Sequence, residues 1–541
     1  MRQSSIVPLV ITVYGLFLNP IALLCGMGGT IMALPGLAVA APAPLEVPRW
    51  EPHDFAFSCS SVEGNPFNVA FSAEVTGPGG FKLNVPGFYD GNGTWKVRIS
   101  ASTEGAWSFI THSDIAELNG KSGAFVSVAN HALAEHGSLR VNLEHPHQFV
   151  FEDGTHFFPM GYECDWLWAL DTNDPELKGL NPFLDKLTTN GFNFVVLNAF
   201  AQDTSWRKGE TGSDDFGPPP LYAWEGTNDQ PDHGRFNLAY WQHYDRVIEA
   251  LYQRGIGAHI LMKVYNKQVT WPANGSAEDD LYYRWLIARY AAYPNVVWDL
   301  AKEAQYEKDL DYKTGRLRFI RANDSYHRLL TVHDDKVNYD KGAYNDLVDY
   351  RSDQQNSDWR GTMLAHLAQR TWPVSNIEYG YEHGPLGAND KTYNVAQSAE
   401  EVCRRAWEIV LSGGSVGYYY TYTAWDVIRP QDNPPGYAYF KHLRDFFETT
   451  GYWRMKSVDG LTSEGYCLAD SGHEYIVFLN VAKSFTLKLE GLAQPLKAQW
   501  YQPFTGQWRD AGNLGNGIVE LKPPAEWPEG PVALHVGTPG S

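Results

Sequence analysis

Two glutamates close short apolar runs in this chain. Glu303 ends Asn295-Val-Val-Trp-Asp-Leu-Ala-Lys-Glu303, and Glu378 ends Pro373-Val-Ser-Asn-Ile-Glu378 just before Tyr379-Gly380. Both runs read as buried strands of a parallel sheet, and residues at the C-terminal ends of such strands carry the chemistry of barrel enzymes. Two carboxyls facing each other there have what glycosidic bond cleavage requires. One protonates the leaving oxygen while the other attacks the sugar carbon or activates water. A single acid at a strand end is more often a solvated loop residue. The elements around the two therefore decide their meaning. Glu382 lies four residues beyond Glu378, past Gly380-Tyr381, and competes for the second role from outside the strand.

The 541 residues exceed what one core holds and suggest about three domains. Hydrophobic residues make up 43% and charged residues 20%, a globular balance. A formal charge of −20 argues against a nucleic-acid or anionic-membrane partner. In the first forty residues Arg2 is the only charge. An apolar stretch follows, and Ala38-Val39-Ala40 offers a cleavage site before Ala41, so an export signal is read over 1–40. The protein is then periplasmic or extracellular. An uncleaved anchor is the alternative, and only then is a membrane a partner. Apart from Cys25, the cysteines Cys59, Cys164, Cys403 and Cys467 show no metal or CxxC spacing, and buried free thiols are expected. Asp171-Thr-Asn-Asp-Pro-Glu176 does not match a calcium loop and reads as a turn. No metal and no cofactor are expected.

Residues 45–135 alternate like short strands, as in Phe67–Val75 and Thr94–Ile99. Turns at Gly77-Pro-Gly-Gly80 and Asp90-Gly-Asn-Gly93 separate them. From 137 to 454 apolar runs alternate with amphipathic stretches such as Tyr240–Arg254 and Ala399–Leu411. Eight strands are predicted near Phe157–Tyr162, Phe192–Asn198, Gly257–Met262, Val296–Leu300, Leu329–His333, Leu347–Tyr350, Pro373–Glu378 and Val416–Thr421. That pattern fits a (β/α)8 TIM barrel. A Gly- and Pro-rich insertion over 201–236, with little regular structure, reads as a lid or pocket wall. Residues 455–541 alternate again and read as a C-terminal β-sandwich. The fold class is thus a multidomain α/β plus all-β chain, with a barrel between two β-sandwiches.

The strand ends of this barrel collect polar and aromatic side chains suited to a neutral, polyhydroxylated ligand. Asp165 and Trp166 follow strand one, Asn198 ends strand two, and His333 follows strand five. Gln354 follows strand six, Tyr379 follows Glu378, and Trp425 follows strand eight as a stacking platform. Each has a plainer reading as core or as a hydrogen-bonded structural residue. Trp168, Trp206 and Trp224 could line outer subsites or pack in the core. Lys263 admits a Schiff-base reading, against the commoner one of a salt-bridged lysine.

The chain resembles retaining glycoside hydrolases of the cellulase-like clan, and among them the apiosidase-like barrels. The resemblance is carried by Asn295-Val-Val-Trp298 leading to Glu303, by Asn376-Ile-Glu378-Tyr-Gly380, and by Phe236-Asn-Leu-Ala-Tyr-Trp-Gln-His-Tyr-Asp245. Gly154-Thr-His-Phe-Phe-Pro-Met-Gly161 adds to it. Gly87-Phe-Tyr-Asp90, Trp95-Lys-Val-Arg98 and Gly105-Ala-Trp107 resemble the immunoglobulin-like domain that precedes such barrels. The resemblance implies that Glu303 is the general acid/base, that Glu378 is the nucleophile, and that configuration is retained through a glycosyl-enzyme intermediate. It also implies an asparagine just before the strand-four acid, contacting the sugar 2-hydroxyl. Lys302 stands there instead, so either Lys302 points away or the sugar is unusual. The expectation is an exported glycosidase acting on a polysaccharide or its oligosaccharides. The alternative is a non-catalytic polysaccharide-binding or cell-surface protein on a decayed barrel. No residue pattern sets an oligomeric state.

Overall fold

A computed structural model describes residues 43–133, 135–202, 221–334, 336–355, 357–384, 396–423, 428–527 and 529–537. The export signal read over 1–40, Trp206 and Trp425 lie outside the described residues, as do 203–220 of the insertion.

Eight parallel strands form one sheet: β1 Met160–Glu163, β2 Phe194–Asn198, β3 Gly257–Val264, β4 Val296–Lys302, β5 Leu330–Thr331, β6 Arg351–Gln354, β7 Val374–Glu378 and β8 Ser415–Tyr419. Their order in the sheet is β5-β4-β3-β2-β1-β8-β7-β6. A parallel bridge from His333, just past β5, to Ser352 of β6 joins the two ends of that order. The ring is a (β/α)8 barrel. Helices α1 Leu180–Thr189, α2 Leu238–Tyr252, α3 Ala277–Tyr290 and α4 Leu310–Asn323 surround it. They continue with α5 Lys336–Asp340, α6 Trp359–Gln369, α7 Ala399–Leu411 and α8 Gly436–Glu448. Side-chain caps fix several helix starts. Asn237 accepts from the Ala239 amide before α2, and Ser398 accepts from the Glu401 amide before α7. The run Asp171–Glu176 is a turn whose Asp171 carboxylate accepts from the Gly179 and Leu180 amides at 2.7 Å, satisfying the first donors of α1.

The barrel is sealed at the end where its strands begin. A small sheet of Leu139–Val141, Phe149–Phe151 and His156–Phe157 lies there. Its Leu139, Phe149 and Phe157 pack with Phe194, Val297, Leu329 and Tyr350. Above this plug Val196, Leu261 and Ile377 meet across the interior. Polar side chains share this layer, with the His259 ring against Phe194 and Tyr350 of the plug. Asp299 accepts from the backbone N–H of Ala301 at 3.1 Å and of His333 at 2.9 Å, and its other oxygen lies 2.8 Å from His259 Nε2. One buried carboxylate thus ties the end of β4 to the chain beyond β5. The mouth at the strand C-termini is the end left for chemistry.

Two predicted elements differ. The sixth strand is Arg351–Gln354, not Leu347–Tyr350. Its polar residues are buried because they satisfy one another. Arg351 donates to Asp353 at 2.6 Å, and Asp353 meets His366 of α6 at 2.5 Å. The apolar residues upstream instead cover the barrel floor and its flank, with Tyr350 in the plug. Within the insertion, Trp224–Thr227 and Gln230–Phe236 pair as an antiparallel hairpin around Asn228-Asp229. Trp224 and Phe236 hold it down as core: the Phe236 ring stacks on Trp285 at 4.3 Å, and Trp224 meets Phe200 and Trp271 edge-on.

On the N-terminal side one sheet runs in the order Glu46–Pro48, Ser122–Val128, Gly105–Ser113, Phe71–Thr76, Lys82–Pro86. It faces a sheet of His53–Ser58, Thr94–Ile99 and Phe88–Gly91 across Val75, Trp95, Val97, Trp107 and Phe125. After the barrel, six strands between Lys456 and Val536 form a sheet, with the pair Phe485–Leu489 and Gly517–Leu521 packed on it. These are the two flanking β-sandwiches. Cys59, Cys164, Cys403 and Cys467 are buried free thiols.

Candidate active site

Along an extended strand neighbouring side chains point to opposite faces. Lys302 and Glu303 could not both address the mouth if β4 ran on regularly. The strand stops at Lys302, and Glu303 takes a left-handed backbone, φ 51 and ψ 50. This conformation is costly for a residue with a side chain and is concentrated at functional positions. Glu303 sits half-buried and accepts from Gln354 Nε2 of β6 at 3.3 Å. On β7, pairing with β6 slips by one residue at Ile377, bringing Glu378 opposite Gln354. Gln354 therefore links the two acids, through its side chain to Glu303 and through strand register to Glu378.

Glu378 is buried, and its two oxygens have different neighbours. The Tyr381 hydroxyl donates to Oε1. Oε2 lies 3.3 Å from Lys302 Nζ and has no hydrogen-bond partner among the described residues. Lys302 also donates to Glu163 Oε1 and to Asp165, at 3.3 and 3.5 Å from its two oxygens. Asp165 accepts from the Tyr419 hydroxyl of β8 at 2.7 Å and from Asn198 Nδ2 of β2 at 3.3 Å. His333 is completely buried, and neither ring nitrogen has a hydrogen-bond partner among the described residues.

These surroundings drive the two acids apart. Burial raises the Glu303 carboxyl, and repulsion from Glu378 raises it further, against weaker pulls from Lys302, His333 and Gln354. Burial also works to raise Glu378. There burial is the largest influence, but Lys302, His333 and the Tyr381 hydroxyl together outweigh it, and Glu378 is held below the ordinary carboxylate range. Neighbouring acids pushed in opposite directions are the arrangement that acid/base and nucleophilic chemistry draw on. Glu382 is excluded from the pair by its contacts. It accepts from Tyr418 on the outer side of β8 at 2.7 Å and from the Gly436 amide at the start of α8 at 3.0 Å, and burial raises it to about 7.

The structure brings together Glu303, Glu378, Asp165, Asn198, His333 and Gln354. It does not add Trp166 or Tyr379. Trp166 is buried with its ring 5.6 Å from that of Trp168 in the barrel core, which leaves no face for a sugar ring. Tyr379 follows the slip in β7 and is buried near Cys403 and Arg405 of α7, outside the barrel. Lys263 is likewise outside the mouth, donating to Asp279 at 2.6 Å and Tyr312 at 2.7 Å. The Schiff-base reading has no open amine to work with. Sequence reasoning missed the roles of Lys302, Glu163, Tyr381 and Tyr419. A lysine ending an otherwise apolar strand demands buried counter-charges, and Glu163 and Asp165 at the end of strand one were the signal for them.

A family model described as "Apiosidase-like, catalytic domain" matches residues 144–466, and a domain of unknown function, DUF5060, matches residues 46–114. No curated protein matches the chain by sequence. Among solved structures, a candidate glycoside hydrolase from Bacteroides vulgatus superposes with a TM-score of 0.74 at 21% identity, covering 91% of this chain and 99% of that one. A structure described as a glycoside hydrolase gives 0.59 at 16% identity, over 76% and 99%. A family 5 glycoside hydrolase from Bacteroides vulgatus gives 0.56 at 17% identity, over 75% and 94%. At these identities the likeness is one of fold.

Proposed function

The chain belongs to the apiosidase-like family and is a glycoside hydrolase, and on that premise we propose an exported, retaining enzyme that cleaves a polysaccharide or its oligosaccharides by double displacement. Glu378 Oε2, the oxygen not taken by Tyr381, attacks the anomeric carbon. As the glycosidic C–O bond breaks, the protonated Glu303 carboxyl transfers its proton to the departing oxygen. A glycosyl ester on Glu378 results. Glu303, now anionic, takes a proton from a water molecule whose oxygen bonds to the anomeric carbon. The ester C–O bond breaks, and both carboxyls return to their starting states. Asp165, Asn198 and His333 surround this centre with polar atoms that suit sugar hydroxyls.

The observation that carries the reading is the opposed ionisation of two acids at one barrel mouth, Glu303 raised and Glu378 lowered. Its test is hydrolysis of a panel of plant, algal and microbial polysaccharides by the wild type, E303Q and E378Q. Wild-type turnover that falls by roughly 10²–10⁴-fold or more in each variant, with binding kept, is expected. A protein that binds glycans equally well in all three forms and hydrolyses none is a non-catalytic binder, and the proposal fails.

A further inference from the structure

We infer that Lys302 is a positioning residue for Glu378, and that Glu163 in turn positions Lys302. This rests on the retaining mechanism proposed above. The ammonium is buried and carries three N–H donors. Three carboxylates surround it: Glu163, Asp165 and Glu378, the last at 3.3 Å. The Tyr419 ring covers it from β8, 5.4 Å away. A lysine so surrounded is committed to its acids and has little left to offer a hydroxyl.

The charges at the mouth explain why a cation is needed there. Glu163 and Asp165 face Lys302 from the end of β1, and Glu378 faces it from β7. Glu303 adjoins it on its own strand, and both Glu163 and Glu303 interact with Glu378 as like charges. His333 addresses Glu303 and Glu378 from beyond β5, while Tyr381 and Tyr419 contribute hydroxyls to Glu378 and Asp165. With an asparagine at position 302, Glu378 would meet these acids with only a histidine and a hydroxyl to favour its anion. Glu163, wholly buried, would lose its own counter-charge as well. The lysine and the strand-one glutamate are a matched pair. Lys302 favours the Glu378 anion and faces its attacking oxygen, and Glu163 keeps the lysine from swinging fully onto the nucleophile and blocking it.

The test is the pH profile of kcat/KM, with kcat and KM resolved, for wild type, K302M, K302R and E163Q on whichever panel glycan the wild type hydrolyses. In K302M the acid limb, which reports ionisation of Glu378 in the free enzyme, moves up by roughly 1–3 pH units, because a favourable charge has gone. The loss at neutral pH falls on kcat more than on KM, and K302R returns the limb toward wild type. In E163Q the limb moves down, because Lys302, released from Glu163, turns more fully to Glu378. A K302M enzyme with its acid limb unmoved and only KM raised is one in which Lys302 binds sugar, and the inference is overturned. If K302M does not fold, E163Q decides alone: a limb that stays or rises overturns the inference. A wild type that hydrolyses nothing on the panel, or that inverts, fails the underlying mechanism instead. That outcome is distinct from a retaining enzyme whose profile ignores Lys302.

Discussion

At the residue scale the two glutamates differ in what holds them, and their variants should fail differently. On the proposed mechanism, removing Glu303 leaves the Glu378 nucleophile intact, so an aryl glycoside with a good leaving group still forms the ester. With E303A, such a substrate should show rapid ester formation followed by slow turnover, and added azide should restore turnover by intercepting the ester. E378A should show neither effect. Tyr381 donates to Glu378 Oε1, the oxygen that does not attack in the proposed mechanism. Y381F removes a hydrogen bond to a charged acceptor, a contribution of about 1.5–3 kcal/mol. A kcat lower by roughly 10–100-fold with an acid limb displaced upward is expected, measured as a pH–rate profile against wild type. The places of Glu303 and Glu378 at the ends of β4 and β7 were legible in the sequence because each closes an apolar strand. Tyr379 and Tyr381 could not be told apart in the same way. The slip in β7 at Ile377 reverses which residues face inward, and nothing in the string Ile-Glu-Tyr-Gly-Tyr marks it.

At the scale of elements, most of the barrel follows from periodicity and caps. Helix α7 runs over the predicted Ala399–Leu411, and β4 and β7 end within a residue of the acids that drew attention to them. The sixth strand was illegible because an Arg-Ser-Asp-Gln run looks like a loop until α6 supplies His366 to complete its charge network. Glu382 shows the same principle at the barrel wall, where it joins β8 to α8. Its carboxyl is raised to about 7 from an ordinary value near 4.5. Between those values the folded state keeps a proton that the unfolded chain has released. Stability therefore falls as pH rises through this window, by up to about 3 kcal/mol, and levels off above it. Gln can accept the same two hydrogen bonds without ionising. E382Q should match the wild-type melting temperature near pH 5 and exceed it near pH 8, as read by thermal unfolding at both. Equal differences at the two pH values would contradict this assignment.

At the scale of the whole molecule, the barrel is braced from two sides. On the N-terminal side Arg98 pairs with Asp54 and donates to the Arg289 carbonyl at 2.7 Å, while the Arg289 guanidinium reaches Asp90 of the sandwich at 3.1 Å. On the C-terminal side Trp407 of α7 stacks on Phe478 at 5.1 Å, and Phe446 of α8 stacks on Trp508 at 5.3 Å. Phe478 is wholly buried, and F478A should cost about 3–5 kcal/mol, visible as a lower melting temperature with little change in KM. Composition made the three-part architecture readable, but not these contacts, which join barrel residues to sandwich residues from about sixty to about two hundred positions away. The most direct test of the mechanism is the anomeric configuration of the first-formed product, followed by proton NMR from the moment enzyme and glycan are mixed. Retention, with the opposite anomer growing in only at the rate of mutarotation, is the expected result. A first product of inverted configuration would mean that Glu378 is not the nucleophile.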